Sequence, residues 1–188
     1  MNYKIILASN SPRRKELLKG LDIDFEVRII PDINESYPLS MNPVEIPGYI
    51  ARKKSDAYKV SIKPDELIIT ADTVVLLDGC ILEKPSDRED AIQMLKRLSK
   101  HKHQVITGVS MVTTKKRKDF SVTSTVDFAE LTEEEIEYYV DKYKPYDKAG
   151  AYGIQEWIGY IGVKGIEGSF YNVMGLPIQR LYQELKKF

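Results

Sequence analysis

Two hydrophobic rhythms alternate along this chain. Ile5-Ile6-Leu7-Ala8 is a short apolar run that predicts a buried strand. Ser9-Asn10-Ser11-Pro12 punctuates it, and Leu17, Leu18 and Leu21 then share one face of a helix over residues 13–21. Ser11 suits the N-cap of that helix, Pro12 its first position and Gly20 its end. Residues 30–48, rich in Pro, Asn and Ser, read as a loop. A polar helix over 50–60 follows, with Ile50, Ala51, Ala57 and Tyr58 as its inner positions. Residues 67–77 form a strongly apolar strand interrupted by Asp72. Asp78-Gly79 is a hairpin signal, and Cys80-Ile81-Leu82 begins the return strand.

Ser86 or Asp87 caps the next helix, whose inner face is Ala91, Ile92, Leu95 and Leu98. Val105, Thr107, Val109, Met111 and Thr113 alternate with their neighbours, the mark of a half-buried strand. A charged turn over 115–119 leads to a second strand over 120–128. Thr132 and Glu135 form a capping box ahead of Ile136, Tyr139, Val140 and Tyr143, which face inward. After Pro145 a glycine-rich stretch runs to Gly175, and Leu176-Pro177 opens a last helix with Leu181 and Leu185. Helices alternating with long strands, plus two hairpins, predict an α/β fold with a mixed sheet, in a single domain over 1–188.

Composition narrows the class. Of 188 residues, 43% are hydrophobic and 30% charged, which excludes a disordered chain and suffices for a core without staples. Lys plus Arg and Asp plus Glu are each 28, so no broad basic surface is available for a nucleic-acid polymer, although a local basic pocket remains open. The lone Cys80 can form no intramolecular disulfide, which points to a reducing compartment. No apolar run approaches the ~20 residues that span a bilayer. The expectation is a cytoplasmic protein with no membrane partner.

Four segments carry candidate chemistry. Ser9-Asn10-Ser11-Pro12-Arg13-Arg14 puts two arginines in the first turn of a helix, against the dipole, at up to about 1 kcal/mol per charge. An anion held between the guanidinium groups and the helix end would offset that cost; solvated surface arginines are the plain alternative. Asp72-Thr73 sets a carboxylate in an apolar strand, expensive to bury unless paired or bound to a metal. Glu83-Lys84-Pro85 offers a lysine to a phosphate. In Asp147-Lys148-Ala149-Gly150-Ala151-Tyr152-Gly153-Ile154-Gln155, glycines permit close backbone approach to a ligand, and Gln155 is suited to reading a base edge. No GxxxxGK[ST] loop is present.

In this order, and with Gly168-Ser169-Phe170-Tyr171-Asn172-Val173-Met174-Gly175-Leu176-Pro177, these segments resemble the Maf family of nucleoside triphosphate pyrophosphatases, from Leu7 to about Leu185. The resemblance implies an inosine triphosphate pyrophosphatase-like (Maf/Ham1) fold, a long bent mixed sheet with helical lobes around a central cleft. It implies cleavage between the α- and β-phosphates of a small-molecule nucleotide with a divalent cation, Mg²⁺ or Mn²⁺. Catalytic roles then fall to Asp72, Lys84, Lys54 and Arg14, metal binding to Glu35 and Asp72, and substrate binding to Ser9, Ser11, Arg13, Thr73 and Gln155. Asp72 is either the general base or a holder of the metal that activates water. Arg13, Thr73 and Gln155 match the branch acting on dTTP and UTP, not the 7-methyl-GTP branch, which has a Trp after the Ser-Pro. Tyr143-Lys144 and Glu156-Trp157 depart from the family pattern, the second pair beside the base-reading Gln155. A homodimer is compatible with this reading. The rivals are a non-catalytic nucleotide-binding regulator of septum formation or cell division, a 7-methyl-GTP-type pyrophosphatase, and a nucleotidyl- or phosphotransferase.

Overall fold

The computed structural model describes residues 3–188. Its elements, in chain order, are β1 (Lys4–Leu7), α1 (Pro12–Lys19), β2 (Phe25–Val27), α2 (Ile46–Tyr58), β3 (Glu66–Leu77), β4 (Cys80–Leu82), α3 (Arg88–Leu98), β5 (Lys102–Val112), β6 (Arg117–Phe128), α4 (Glu133–Tyr143), a 3-10 turn (Ala149–Ala151), α5 (Trp157–Gly162), β7 (Val163–Glu167), α6 (Phe170–Val173) and α7 (Ile178–Leu185). The strands make a seven-stranded sheet in the order β2-β1-β3-β5-β6-β7, with β4 on β3. It is mixed: β1 runs parallel to β2 and β3, whereas β3–β4 and β6–β7 are antiparallel. The mixed α/β expectation is met. The chain divides into two compact units.

The first unit takes in the chain up to Thr73, Thr107–Val122 and Gly175–Phe188. Ile6, Tyr58, Ile68 and Val112 form a buried cluster there. Leu7 pairs with Ile69, so β3 outruns β1 and carries Ala71, Asp72 and Thr73 past its end. α2 starts at Ile46, inside the segment expected to be a loop. Pro47 sits in its first turn, where a missing N–H costs nothing, so the Pro-Gly pair opens the helix instead of preventing it. Ile50, Ala51 and Tyr58 are buried as expected. A Cβ on Gly108 would lie 2.3 Å from the backbone of Pro47 and Gly48, so α2 meets β5 backbone to backbone. Glu66 is buried against a bidentate Arg28 at 2.6 and 2.9 Å, which holds its carboxyl down to about 2.

The second unit comprises Val74–Ile106 and Thr123–Met174. Its core joins Leu95, Leu98, Phe128, Tyr139, Val140 and Ile158, among others. Asp78 and Gly79 both have positive φ, 50° and 78°, as a two-residue hairpin requires. Asp87, not Ser86, caps α3 by accepting from the Asp90 N–H at 2.9 Å. The capping box of α4 is formed as expected.

β3 runs through Asp72 as the expected strand, its apolar run broken by one polar side chain that turns to a partner. Two expectations are corrected. β5 is buried from Val105 to Val112 instead of on one face only: it lies in the middle of the sheet, and its buried hydroxyl Ser110 is bonded to Ser55 and Asp119. The glycine-rich stretch holds a 3-10 turn, α5, β7 and α6, with Gly150, Gly168 and Gly175 at positive φ supplying the bends between them.

Candidate active site

The end of β1 passes into the Ser9–Ser11 loop and then into α1. Ser11 caps α1 by accepting from the Arg14 N–H at 3.4 Å, and its own N–H reaches Ser9 Oγ at 3.2 Å. Ser9 is 8% exposed. Each hydroxyl oxygen thus accepts from the chain while its O–H remains a donor suited to a phosphate oxygen.

Arg14 clamps this loop to β3. Its Nε donates to the Gly175 carbonyl at 2.8 Å, one terminal nitrogen to the Ala71 carbonyl at 2.9 Å, and the other to Thr73 Oγ1 at 3.1 Å. Burial pulls its guanidinium below the ordinary arginine value, an effect opposed by the charge of Asp72. The group stays a cation, as arginine does in proteins. Thr73 also shares a 2.9 Å hydrogen bond with Thr107, a partner the sequence did not suggest because it lies on a separate strand.

Side chains alternate along β3, so Thr73 turns to Arg14 while Thr70 and Asp72 turn to α2. Thr70 donates to the Ala51 carbonyl at 2.6 Å. Lys54 Nζ lies 2.9 Å from Asp72 Oδ1 and 2.8 Å from Glu35 Oε2. Asp72 and Lys54 are each 15% exposed, whereas Glu35 is 54% exposed. The carboxylate in the apolar strand is therefore paired, as its burial demands. The ammonium gathers two carboxylates, from β3 and from the 30–45 loop, into one cluster.

The first unit thus brings together Ser9, Ser11, Arg14, Glu35, Lys54, Asp72 and Thr73. Arg13 follows Pro12 in the first turn of α1 and is half-buried. Lys84 and Gln155 belong to the second unit. Lys84 is exposed after β4, and the adjacent Glu83 carbonyl accepts from the Gly150 N–H at 3.1 Å, which ties the Glu83-Lys84-Pro85 segment to the glycine-rich one. Gln155 is half-buried, and its side-chain carbonyl oxygen is buried with no partner among the described residues. Trp157 packs edge-on against Tyr138 at 4.9 Å between ring centres.

The second unit adds partners that the sequence does not suggest. Lys148 is buried and bonded to Asp147 at 2.7 Å and Glu156 at 3.2 Å. The Tyr139 hydroxyl donates to Glu156 Oε2 and accepts from the Gly153 N–H at 3.0 Å. His103 Nε2 lies 2.7 Å from the Tyr152 hydroxyl, and burial lowers the imidazole to about 4. Lys148 and Tyr152 stand inside the quoted glycine-rich motif, so their position was in view; their partners were not.

Among the described residues, no helix is long and apolar enough to cross a membrane. Comparison with known proteins agrees with the motifs. The chain matches the family described as Maf-like protein over residues 4–188. It is 66% identical over 186 residues to a dTTP/UTP pyrophosphatase of Parabacteroides distasonis, covering 99% of this chain and 96% of that one. A dTTP/UTP pyrophosphatase of Bacteroides thetaiotaomicron is 63% identical over 185 residues, 98% and 96% of the two chains. Among solved structures, the Staphylococcus aureus Ham1 protein superposes with a TM-score of 0.55 at 20% identity, over 96% of this chain and 99% of that one, a likeness of fold. With the family match running nearly end to end and two such relatives beside it, this chain belongs to the Maf-like protein family.

Proposed function

We propose that this chain hydrolyses dTTP and UTP to the nucleoside monophosphate and pyrophosphate. The observation that carries the reading is the Lys54 ammonium held between Asp72 and Glu35, beside a loop of hydroxyl and guanidinium groups. A carboxylate beside cations suits an attack by water on phosphorus, and the curated relatives bear the name of that activity.

Asp72 Oδ1 is occupied by Lys54, and Oδ2 has no protein partner among the described residues. Asp72 takes a proton from water through that oxygen. The water oxygen bonds to the α-phosphorus, the bridging α–β P–O bond breaks, and pyrophosphate leaves with the electron pair. Negative charge grows on the departing oxygens, so cations act more strongly on the transition state than on the ground state. Lys54, Lys84 and Arg14 are assigned that role; Arg14 also holds the Ser9–Ser11 loop against β3. Ser9, Ser11 and Arg13 are assigned to the phosphates.

Glu35 and Asp72 are assigned to a divalent cation, Mg²⁺ or Mn²⁺. Both bond Lys54 Nζ, which brings the two carboxylates close enough to share a cation beside the ammonium, not in its place. No group of three or more His, Cys, Asp or Glu suited to a metal gathers among the described residues. Phosphate oxygens and water would complete the shell, the usual arrangement for Mg²⁺. When bound, the cation supplies charge neutralisation on the phosphates. Glu35→Gln is expected to raise the metal concentration needed for half-maximal rate; an unchanged metal dependence removes Glu35 from this role.

Base preference is assigned to Arg13, Thr73 and Gln155. The side-chain carbonyl of Gln155 is a desolvated acceptor without a partner among the described residues, and an imide N–H of thymine or uracil satisfies it. Cytosine offers a bare ring nitrogen at that position, leaving both acceptors unpaired. Incubation with a panel of nucleotides and Mg²⁺, with products identified, tests the whole: dTTP and UTP are expected to give monophosphate and pyrophosphate. Binding without turnover, or transfer to a second nucleotide, overturns it.

A further inference from the structure

Residues 153–156 form a tight turn, with the Glu156 N–H donating to the Gly153 carbonyl at 2.9 Å. Gln155 sits in this turn. Glu156 then caps α5, yet its carboxylate makes no bond to the amides of that helix. It reaches back instead. Oε1 meets the buried Lys148 at 3.2 Å, and Oε2 accepts from Tyr139, whose hydroxyl in turn holds the Gly153 N–H at 3.0 Å. Burial first, then the Glu156 carboxylate, push the Tyr139 phenol upward, so it stays protonated and donating. A Cβ on Gly153 would lie 2.8 Å from the Glu156 carboxyl carbon, and one on Gly159 would lie 1.8 Å from the Ile154 carbonyl oxygen. The turn is thus closed over its own glycines and tied at both ends by one carboxylate.

Resting on the assignment of Gln155 to the base, we infer that Glu156 is a specificity-determining positioning residue: through Tyr139 and Lys148 it fixes the turn that orients the Gln155 amide. The Glu156 carboxylate has specific buried partners, Lys148 and Tyr139. The acceptor of Gln155 discriminates only while it is held in one orientation and kept from finding another donor. A looser turn lets the amide rotate, and an amide presents either a donor or an acceptor.

UTP and CTP differ only at the edge in question, so the ratio of their kcat/KM values reads orientation directly. The wild type is expected to favour UTP. Glu156→Gln keeps the shape and removes the charge; it is expected to lower the UTP/CTP ratio about tenfold while kcat on UTP changes little. Tyr139→Phe, which keeps the ring in its packing, is expected to shift the ratio the same way. The double variant is expected to be no worse than Glu156→Gln alone, since one path is cut twice. If Glu156→Gln does not fold by thermal melt, the ratio in Tyr139→Phe decides. An unchanged ratio in the folded variants, or additive losses in the double variant, overturns the inference and leaves the base assignment standing. A wild type that does not distinguish UTP from CTP defeats the base assignment and this inference with it.

Discussion

Lys54 Nζ lies 2.9 Å from Asp72 Oδ1, with each side chain 15% exposed. Eighteen residues separate the two, and the packing of α2 on the even-numbered face of β3 brings them together. An ion pair so shielded is neither a surface ornament nor a neutral filler, because removing one partner strands the other charge.

Asp72→Asn preserves shape and removes the charge that accepts a proton from water. Turnover is expected to fall by roughly 10²-fold or more, with an unchanged far-UV circular dichroism spectrum. Near-normal turnover would remove Asp72 from the mechanism.

Arg14 and Lys84 are expected to differ in kind. Arg14 holds the carbonyls of Ala71 and Gly175, whereas Lys84 is exposed. Arg14→Lys retains the charge but lacks the planar fork, and each buried carbonyl left unpaired costs about 1–3 kcal/mol. Arg14→Lys should therefore lower both stability and kcat. Lys84→Ala should lower kcat while stability stays within about 0.5 kcal/mol. Thermal melts and steady-state kinetics on the two variants check this; a pure KM effect in Lys84→Ala would show that the lysine merely binds.

His103 makes stability depend on pH. Its folded value of about 4 lies below the ordinary 6.5, so the unfolded chain takes up the proton first. The stability linked to neutral His103 is complete above pH 6.5 and is lost as pH falls toward 4, by about 3 kcal/mol at most. Glu66 is depressed as well, but its contribution is lost only between about 4.5 and 2. Urea midpoints at pH 7 and pH 4.5 should fall further in the wild type than in His103→Gln. Equal falls in the two proteins contradict this account.

Much of the scaffold was legible because its signals are local. Ser11 and Pro12 open α1, Thr132 and Glu135 box α4, and Asp78-Gly79 turns β3 into β4, each through neighbours in sequence. β2 was not legible: three residues, with Glu26 and Val27 exposed, carry little pattern. The burial of β5 on both faces depends on what covers it, which alternation along one strand does not reveal. In the site, the ordered motifs pointed to the residue types, but not to who holds whom. Arg14 and Gly175 are 161 residues apart, and the Glu156–Tyr139–Lys148 contacts depend on a turn hidden among glycines.

The most direct test of the central claim, water attack on the α-phosphorus, is hydrolysis of UTP in water enriched in oxygen-18, with both products weighed by mass spectrometry. The account predicts one heavy oxygen in UMP and none in pyrophosphate, because the new P–O bond forms at the α-phosphorus and the bridging oxygen leaves with pyrophosphate. Label in pyrophosphate, or release of UDP and phosphate in place of UMP, would contradict it.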